Sequence, residues 1–256
     1  MPTSAGLTAQ AVRAGRAGMT ARAAVATRAG ADGRTRVTVL RSDGPLALRE
    51  TPQGVYLVGA AAGPLGGDDL GLDIDVGPGS RLLLRSAAGA LLLPGPRGGT
   101  SQLRIQARVG AGGRLDFCLP PTVAAAGCDH HARAVVDLGA AATLRWREEI
   151  VLGRHGEPSG RCVSRLDVIL AGVALYRGEV AVGGPATDAS SAVLDGARAV
   201  GSVILVDARR PPPSPEATDG VAVLPLAGPG TAVSATAPDA ATLAHRLDRG
   251  EGLAGY

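Results

Sequence analysis

The chain has 256 residues, room for one large β domain or two smaller ones. Its net charge of +3 comes from arginines scattered singly among carboxylates. That pattern, without clustered base or stacking aromatics, excludes a nucleic-acid surface. Aromatics are only 2% of the chain, so a core must be built from Val, Leu, Ile and Ala, and no apolar run reaches the length of a membrane-spanning helix. Three cysteines, Cys118, Cys128 and Cys162, form an odd set without framework spacing, which points to a reducing, cytoplasmic setting.

Residues 1–33 are rich in Ala, Arg and Gly and lack a continuous apolar segment. They read as a flexible tail and not a secretory signal, with Met1 or Met19 as the start. From Arg34 short apolar alternations recur, separated by Gly and Pro turns: Arg36–Leu40, Leu46–Arg49, Val55–Val58, Leu70–Val76, Arg81–Ser86, Gln102–Val109 and Arg114–Leu119. Pro120 and Pro121 stop that last strand, because proline donates no ladder hydrogen bond. Ala132–Leu138, Thr143–Leu152, Val163–Leu170 and Val173–Val182 continue the pattern. Turn signals at this spacing define an all-β domain. Repeated strand–turn units without helices predict a sandwich, a barrel or a solenoid.

Beyond Gly183, Ser190–Leu194, Gly201–Val206, Val221–Leu224 and Thr231–Ser234 read as strands. Arg209–Pro215 reads as an extended polyproline-like surface loop. Pro238–Leu247 is the one convincing helix, with Pro in its first turn and Gly250 beyond its end. The expected division is a tail over 1–33, a β-rich core over 34–208 and a C-terminal β/helix extension over 209–256.

Common enzyme signatures are absent. The chain has no lysine, hence no P-loop, and no G-x-G-x-x-G that opens a helix after a strand, no G-x-S-x-G elbow and no zinc-finger spacing. Three polar constellations remain. The first is the loop Gly63-Pro64-Leu65-Gly66-Gly67-Asp68, whose glycines let backbone approach other groups and whose tip is a carboxylate; a purely structural turn reads equally well. The second is Cys128-Asp129-His130-His131. Its thiolate and imidazole donors suit Zn or Ni, although neighbours on a strand face opposite ways, and a polar loop entering a strand is the plain alternative. The third is Trp146-Arg147-Glu148-Glu149 with Gly153-Arg154-His155-Gly156-Glu157. Here Arg147 and Glu149 share a face opposite Glu148, so Glu148 and Arg154 must be paired or wet. An exposed edge strand defended by charge is the alternative.

Taken in order, these residues resemble the family of urease accessory proteins UreD, also called UreH. The resemblance rests on Gly63-x-x-Gly66-Gly67-Asp68-x-Leu70, Val76-x-Pro78-Gly79-Ser80 and Leu82-x-Leu84-x-Ser86. It continues through Gly112-Gly113-Arg114-Leu115-x-Phe117-x-Leu119-Pro120, Arg147-Glu148 with Gly153-Arg154 and Gly156-Glu157, and Arg165–Val168 followed by Gly172–Glu179. It covers about 34–208. The stretch Ala87–Pro94 departs from the family's usual Lys, Tyr or Arg, and the C-terminal third is short and Pro-rich.

The resemblance implies an open β-helix or solenoid-like stack of antiparallel and parallel strands with one or two C-terminal helices. It implies a non-enzymatic, cytoplasmic chaperone that binds UreF, through it the GTPase UreG, and apo-urease. Nickel would pass transiently along acidic positions, with no tightly bound cofactor. On that analogy the route residues are Asp68 first, then Glu148 and Glu179, with Cys128 and His130 as lesser metal candidates. Gly66, Gly67, Ser86 and Arg154 would shape partner-binding loops. The competing expectation is a stand-alone β-rich carbohydrate-acting enzyme or binder, with Asp68 and Glu148 or Glu157 as paired carboxylates.

Overall fold

The computed structural model describes residues 18–59, 63–184 and 188–256. Its strands are, in chain order, β1 (Thr20–Ala29), β2 (Thr35–Arg41), β3 (Leu46–Thr51), β4 (Gly54–Gly59), β5 (Asp69–Val76), β6 (Arg81–Ser86) and β7 (Leu91–Leu92). There follow β8 (Ser101–Val109), β9 (Arg114–Cys118), β10 (Thr122–Ala124), β11 (Asp129–Leu138), β12 (Thr143–Leu152), β13 (Arg161–Leu170) and β14 (Val173–Val182). The chain ends with β15 (Ala199–Val206), β16 (Glu216–Thr218), β17 (Val221–Pro225), β18 (Gly230–Ala237) and one helix, α1 (Ala240–Leu253).

The strands coil into a β-solenoid of about four turns, as the sequence led us to expect. One sheet runs β14-β13-β11-β8-β5-β1-β2, and the other runs β16-β17-β18-β15-β12-β9-β6-β4-β3. The middle strands of each are parallel, because every pass through the coil returns to a sheet in the same direction. Register then stacks like on like. Ile74, Ala107, Val136 and Val168 form one inward row of the first sheet. Leu84, Phe117, Trp146 and Ile204 form an inward row of the second. Phe117 and Trp146 lie flat on each other, ring centres 3.8 Å apart at 4°. Inward residues are mostly apolar and outward ones mostly polar, so the period-two pattern survives in parallel strands most of whose outer faces carry no covering element.

Two expectations need correction. The tail expected over 1–33 holds β1, parallel to β5 and antiparallel to β2, while residues 1–17 lie outside the described residues. Its Ala21, Ala23, Val25 and Ala26 are buried in the core, where small side chains fit a closely stacked coil. Ser190–Leu194 is a turn and not a strand, and its Ser190 carbonyl accepts from the N–H groups of Val193, Leu194 and Asp195. In the extension expected over 209–256, β17 and β18 continue the second sheet outward from β15.

The helix starts where the sequence placed it. Asp239 caps it, accepting from Thr242 N at 2.7 Å. It runs past the expected stop, and Gly250 lies inside it, buried against Val233 and Val221. A side chain there would push the helix off the sheet, so Gly250 serves packing and not termination. Leu243 and Leu247 complete this second core over β15, β17 and β18.

Candidate functional site

Between the two sheets lies a partly open cavity of about 80 Å³, enough for more than one water. His130, Glu148, Cys162 and Ser164 bring polar atoms to its wall, beside Phe117 and Thr122. Alternation along β12 explains how a charged residue comes to be there. Leu144, Trp146, Glu148 and Ile150 face inward, and Arg145, Arg147 and Glu149 face outward.

The Glu148 carboxylate is held from two sides. Trp146 Nε1 donates to Oε1 at 2.9 Å, and Ser164 Oγ donates to Oε2 at 3.0 Å. Burial pushes its pKa above the ordinary glutamate value, against the smaller opposing effect of those two bonds. His130 is buried on the facing strand β11, with Ser101 Oγ 2.8 Å from its Nδ1. Burial, reinforced by His131, lowers its pKa to about 4, so the imidazole is neutral. The Cys128 and Cys162 thiols are pushed up by burial to about 11 and about 12. They stay protonated and are poor metal ligands in that form. Cys128, His130 and Glu148 therefore do not gather into one chelate, and among the described residues no group of three or more His, Cys, Asp or Glu is placed to hold a metal ion.

The outer face of β12 solves the other half of the charge problem. Arg147 Nε donates to Glu149 Oε1 at 2.7 Å, and Arg147 also reaches Asp248 and Glu251 of α1. Arg145 donates to both Glu251 oxygens at 2.7 and 2.8 Å, and to Asp116 at 3.2 Å. The exposed-edge alternative fails here, because β12 is interior to its sheet, between β15 and β9, with α1 across its outer face. Ser164 and Ser101, the partners of Glu148 and His130, escaped sequence reasoning. Alternation alone could have placed Trp146 beside Glu148, but nothing local brings β13 and β8 against them.

Asp68 is buried at the loop before β5. Its Oδ1 accepts from Met19 N at 2.8 Å and its Oδ2 from Leu65 N at 2.9 Å. Both oxygens are thus committed to backbone, tying the start of β1 to the glycine loop. At Gly66 a Cβ would lie 2.6 Å from Gly95 N and Gly99 O, so only glycine lets these two loops touch. Gly67 has φ +92. Ser86 turns the end of β6 by donating to Ala88 O at 2.7 Å. Glu179 is exposed on β14, opposite Arg165, with 4.0 Å between their charged atoms. Arg154 is exposed and bidentate with Glu157, at 2.8 Å through each nitrogen. Asp68, Glu148 and Glu157 share no hydrogen-bond partner, and each is committed to its own surroundings.

Fold and site define a class: a solenoid of mainly parallel strands whose interior carries a hydrogen-bonded carboxylate beside a small cavity. The sequence comparisons narrow it. A sequence description of the UreD urease accessory protein family matches residues 19–250. The urease accessory protein UreD of Frankia alni is 42% identical over 96% of this chain and 97% of its own. That of Parafrankia sp. is 42% identical over 83% of this chain and 81% of its own, and that of Streptomyces avermitilis 38% over 84% and 89%. The chain belongs to the UreD family of urease accessory proteins, and membership implies a role in urease maturation. None of the described helices is long and apolar enough to cross a membrane.

Proposed function

We propose that this protein is a non-catalytic scaffold of urease maturation. It binds UreF, recruits the GTPase UreG through UreF, and docks on apo-urease in the cytoplasm while nickel passes through its interior toward the dinickel site. The observation that carries this reading is the cavity faced by Glu148. A cation in transit needs weak, exchangeable oxygen donors, and thiolates would hold nickel too tightly to release it. Glu148, Ser164 and water supply oxygen, His130 supplies one neutral nitrogen, and the cavity thiol is kept protonated.

On this reading Glu148 leads the route. Asp68 acts by fixing the entrance loop, since both its oxygens are occupied. Glu179 stands at the outer edge of the first sheet. Nickel is cargo, and no cofactor is retained.

Co-expression with the urease operon, followed by size-exclusion chromatography and metal analysis, tests the proposal. The expected result is co-elution with UreF and with apo-urease, and nickel in urease only when this chain is present. A chain that elutes alone, with urease fully nickel-loaded in its absence, would overturn it.

A further inference from the structure

The outer face of the second sheet is only partly covered. Helix α1 packs on β12, β15, β17 and β18, which leaves β9, β6, β4 and β3 beside it. Along β6 the sequence reads Arg81-Leu82-Leu83-Leu84-Arg85. Leu82 and Leu84 are buried in the core, and Leu83 points outward, 36% exposed, where alternation calls for a polar residue. Its surroundings follow from register. Arg81 is paired with Arg114 on one side of it, and Arg85, Tyr56 and Arg49 form a row on the other.

The charge of this face is unbalanced. Its one central carboxylate, Asp116, is buried and already shared by Arg85 at 3.0 Å and Arg145 at 3.2 Å. Among the described residues Arg81 and Arg114 have no ion pair, although like charges side by side in a ladder repel. Arg49 reaches only neutral oxygens, those of Ser42 and Leu48. Next to Leu83 in the sheet is Gly54, where a Cβ would sit 2.6 Å from Leu83 O and 2.9 Å from Leu83 Cβ, so the leucine packs directly on bare backbone.

An apolar centre ringed by Arg and Tyr is the anatomy of a protein-binding hot spot. We propose that the face formed by β4, β6 and β9 beside α1 docks an acidic amphipathic helix of a partner protein. An apolar side chain of that helix would pack on the exposed Leu83, and its Asp or Glu residues would reach Arg81, Arg114 and Arg49. The adjoining half of the same sheet already accepts a helix in this way: Leu243 and Leu247 of α1 settle over Gly201 of β15. The maturation role proposed above enters only as the source of the partner.

The test places the photo-crosslinker p-benzoylphenylalanine at position 83 of the full chain, co-expressed with the urease operon, with the same crosslinker at Val135 on the opposite outer face as control. The expected adduct, mapped by mass spectrometry, joins position 83 to an acidic helix of a maturation partner. Arg81→Glu with Arg114→Glu, and separately Leu83→Glu, should weaken that complex by about tenfold or more without lowering the melting temperature, and salt should weaken the wild-type complex. Adducts to nucleic acid, to a second copy of this chain, or equally from position 135 would overturn the docking face. So would a complex that forms with unchanged affinity in the charge-reversed variant. Were the wild-type chain to form no complex with any maturation partner, the maturation role would fall and the docking face with it.

Discussion

Ser164 on the first sheet donates its hydroxyl to Glu148 on the second, Oγ to Oε2 at 3.0 Å, across the interior of the solenoid. With Trp146 Nε1 on the other oxygen, this bond fixes a carboxylate in a cavity that the surrounding leucines and valines would otherwise fill. A buried acid with two neutral donors and no cation is an unfinished pairing, and its stability terms can be measured.

Glu148 gives the first prediction. Burial holds its folded-state pKa above the ordinary value of 4.5, so the unfolded chain releases this proton more readily than the folded one. Its favourable contribution is whole below that ordinary value and is lost as pH rises through the raised one. Glu148→Gln removes the dependence while keeping the shape. Thermal melts of variant and wild type should therefore diverge in the variant's favour from acid to neutral pH. A constant difference would contradict this.

His130 works in the opposite direction. Its pKa falls from 6.5 to about 4 on folding, so the unfolded chain takes up the proton first as the solution is acidified. Stability is complete above 6.5 and declines toward 4, by roughly 3 kcal/mol at the limit. His130→Asn, which can still bond Ser101, should flatten this part of the profile in urea titrations across that range. Equal acid loss in variant and wild type would show that some other group carries it.

The arginines on the two sides of β12's turn should behave differently. Arg147→Ala leaves Glu149 buried without its cation, while Glu251 keeps Arg145, at a cost of roughly 3–5 kcal/mol. Arg154→Ala removes only a solvent-screened pair with Glu157 and should cost much less. Chemical denaturation of both variants checks the ordering, and comparable losses would contradict it.

The thiols provide a simple readout. Cys128 and Cys162 are buried and held protonated, whereas Cys118 is half-buried at the end of β9. Under native conditions near neutral pH a thiol-disulfide reagent should label Cys118 at most, and all three after unfolding. Fast native labelling of Cys162 would mean that the cavity wall is open to bulk reagent.

Much of this fold was legible because a solenoid writes its inward rows as plain alternation, visible in Leu70–Val76 and Gln102–Val109. Strand β1 was not, because Ala21 and Ala23 carry little β propensity alone and become strand only where they stack on Leu70 and Leu72. Gly250 misled for a related reason: a helix terminator and a residue allowing close helix–sheet packing look the same in sequence. The site was half legible. Consecutive charges at Arg147, Glu148 and Glu149 announced two faces, but the partners that make each face tolerable come from β13 and from α1, far away along the chain. Asp68, by contrast, advertised chemistry through its glycine loop while its oxygens serve Met19 and Leu65. Asp68→Ala should accordingly lower the melting temperature by the loss of two buried acceptors, on the order of 1–3 kcal/mol, and lower complex yield in parallel.

The most direct test of a cation route past Glu148 is the nickel content of urease matured with Glu148→Gln, measured per assembled complex by elemental analysis. The expected result is normal assembly with UreF and apo-urease and a severalfold loss of nickel in the purified urease, while the Asp68→Ala complexes that do form load nickel as the wild type does. Full nickel loading by the Glu148→Gln complex would contradict a route through this cavity.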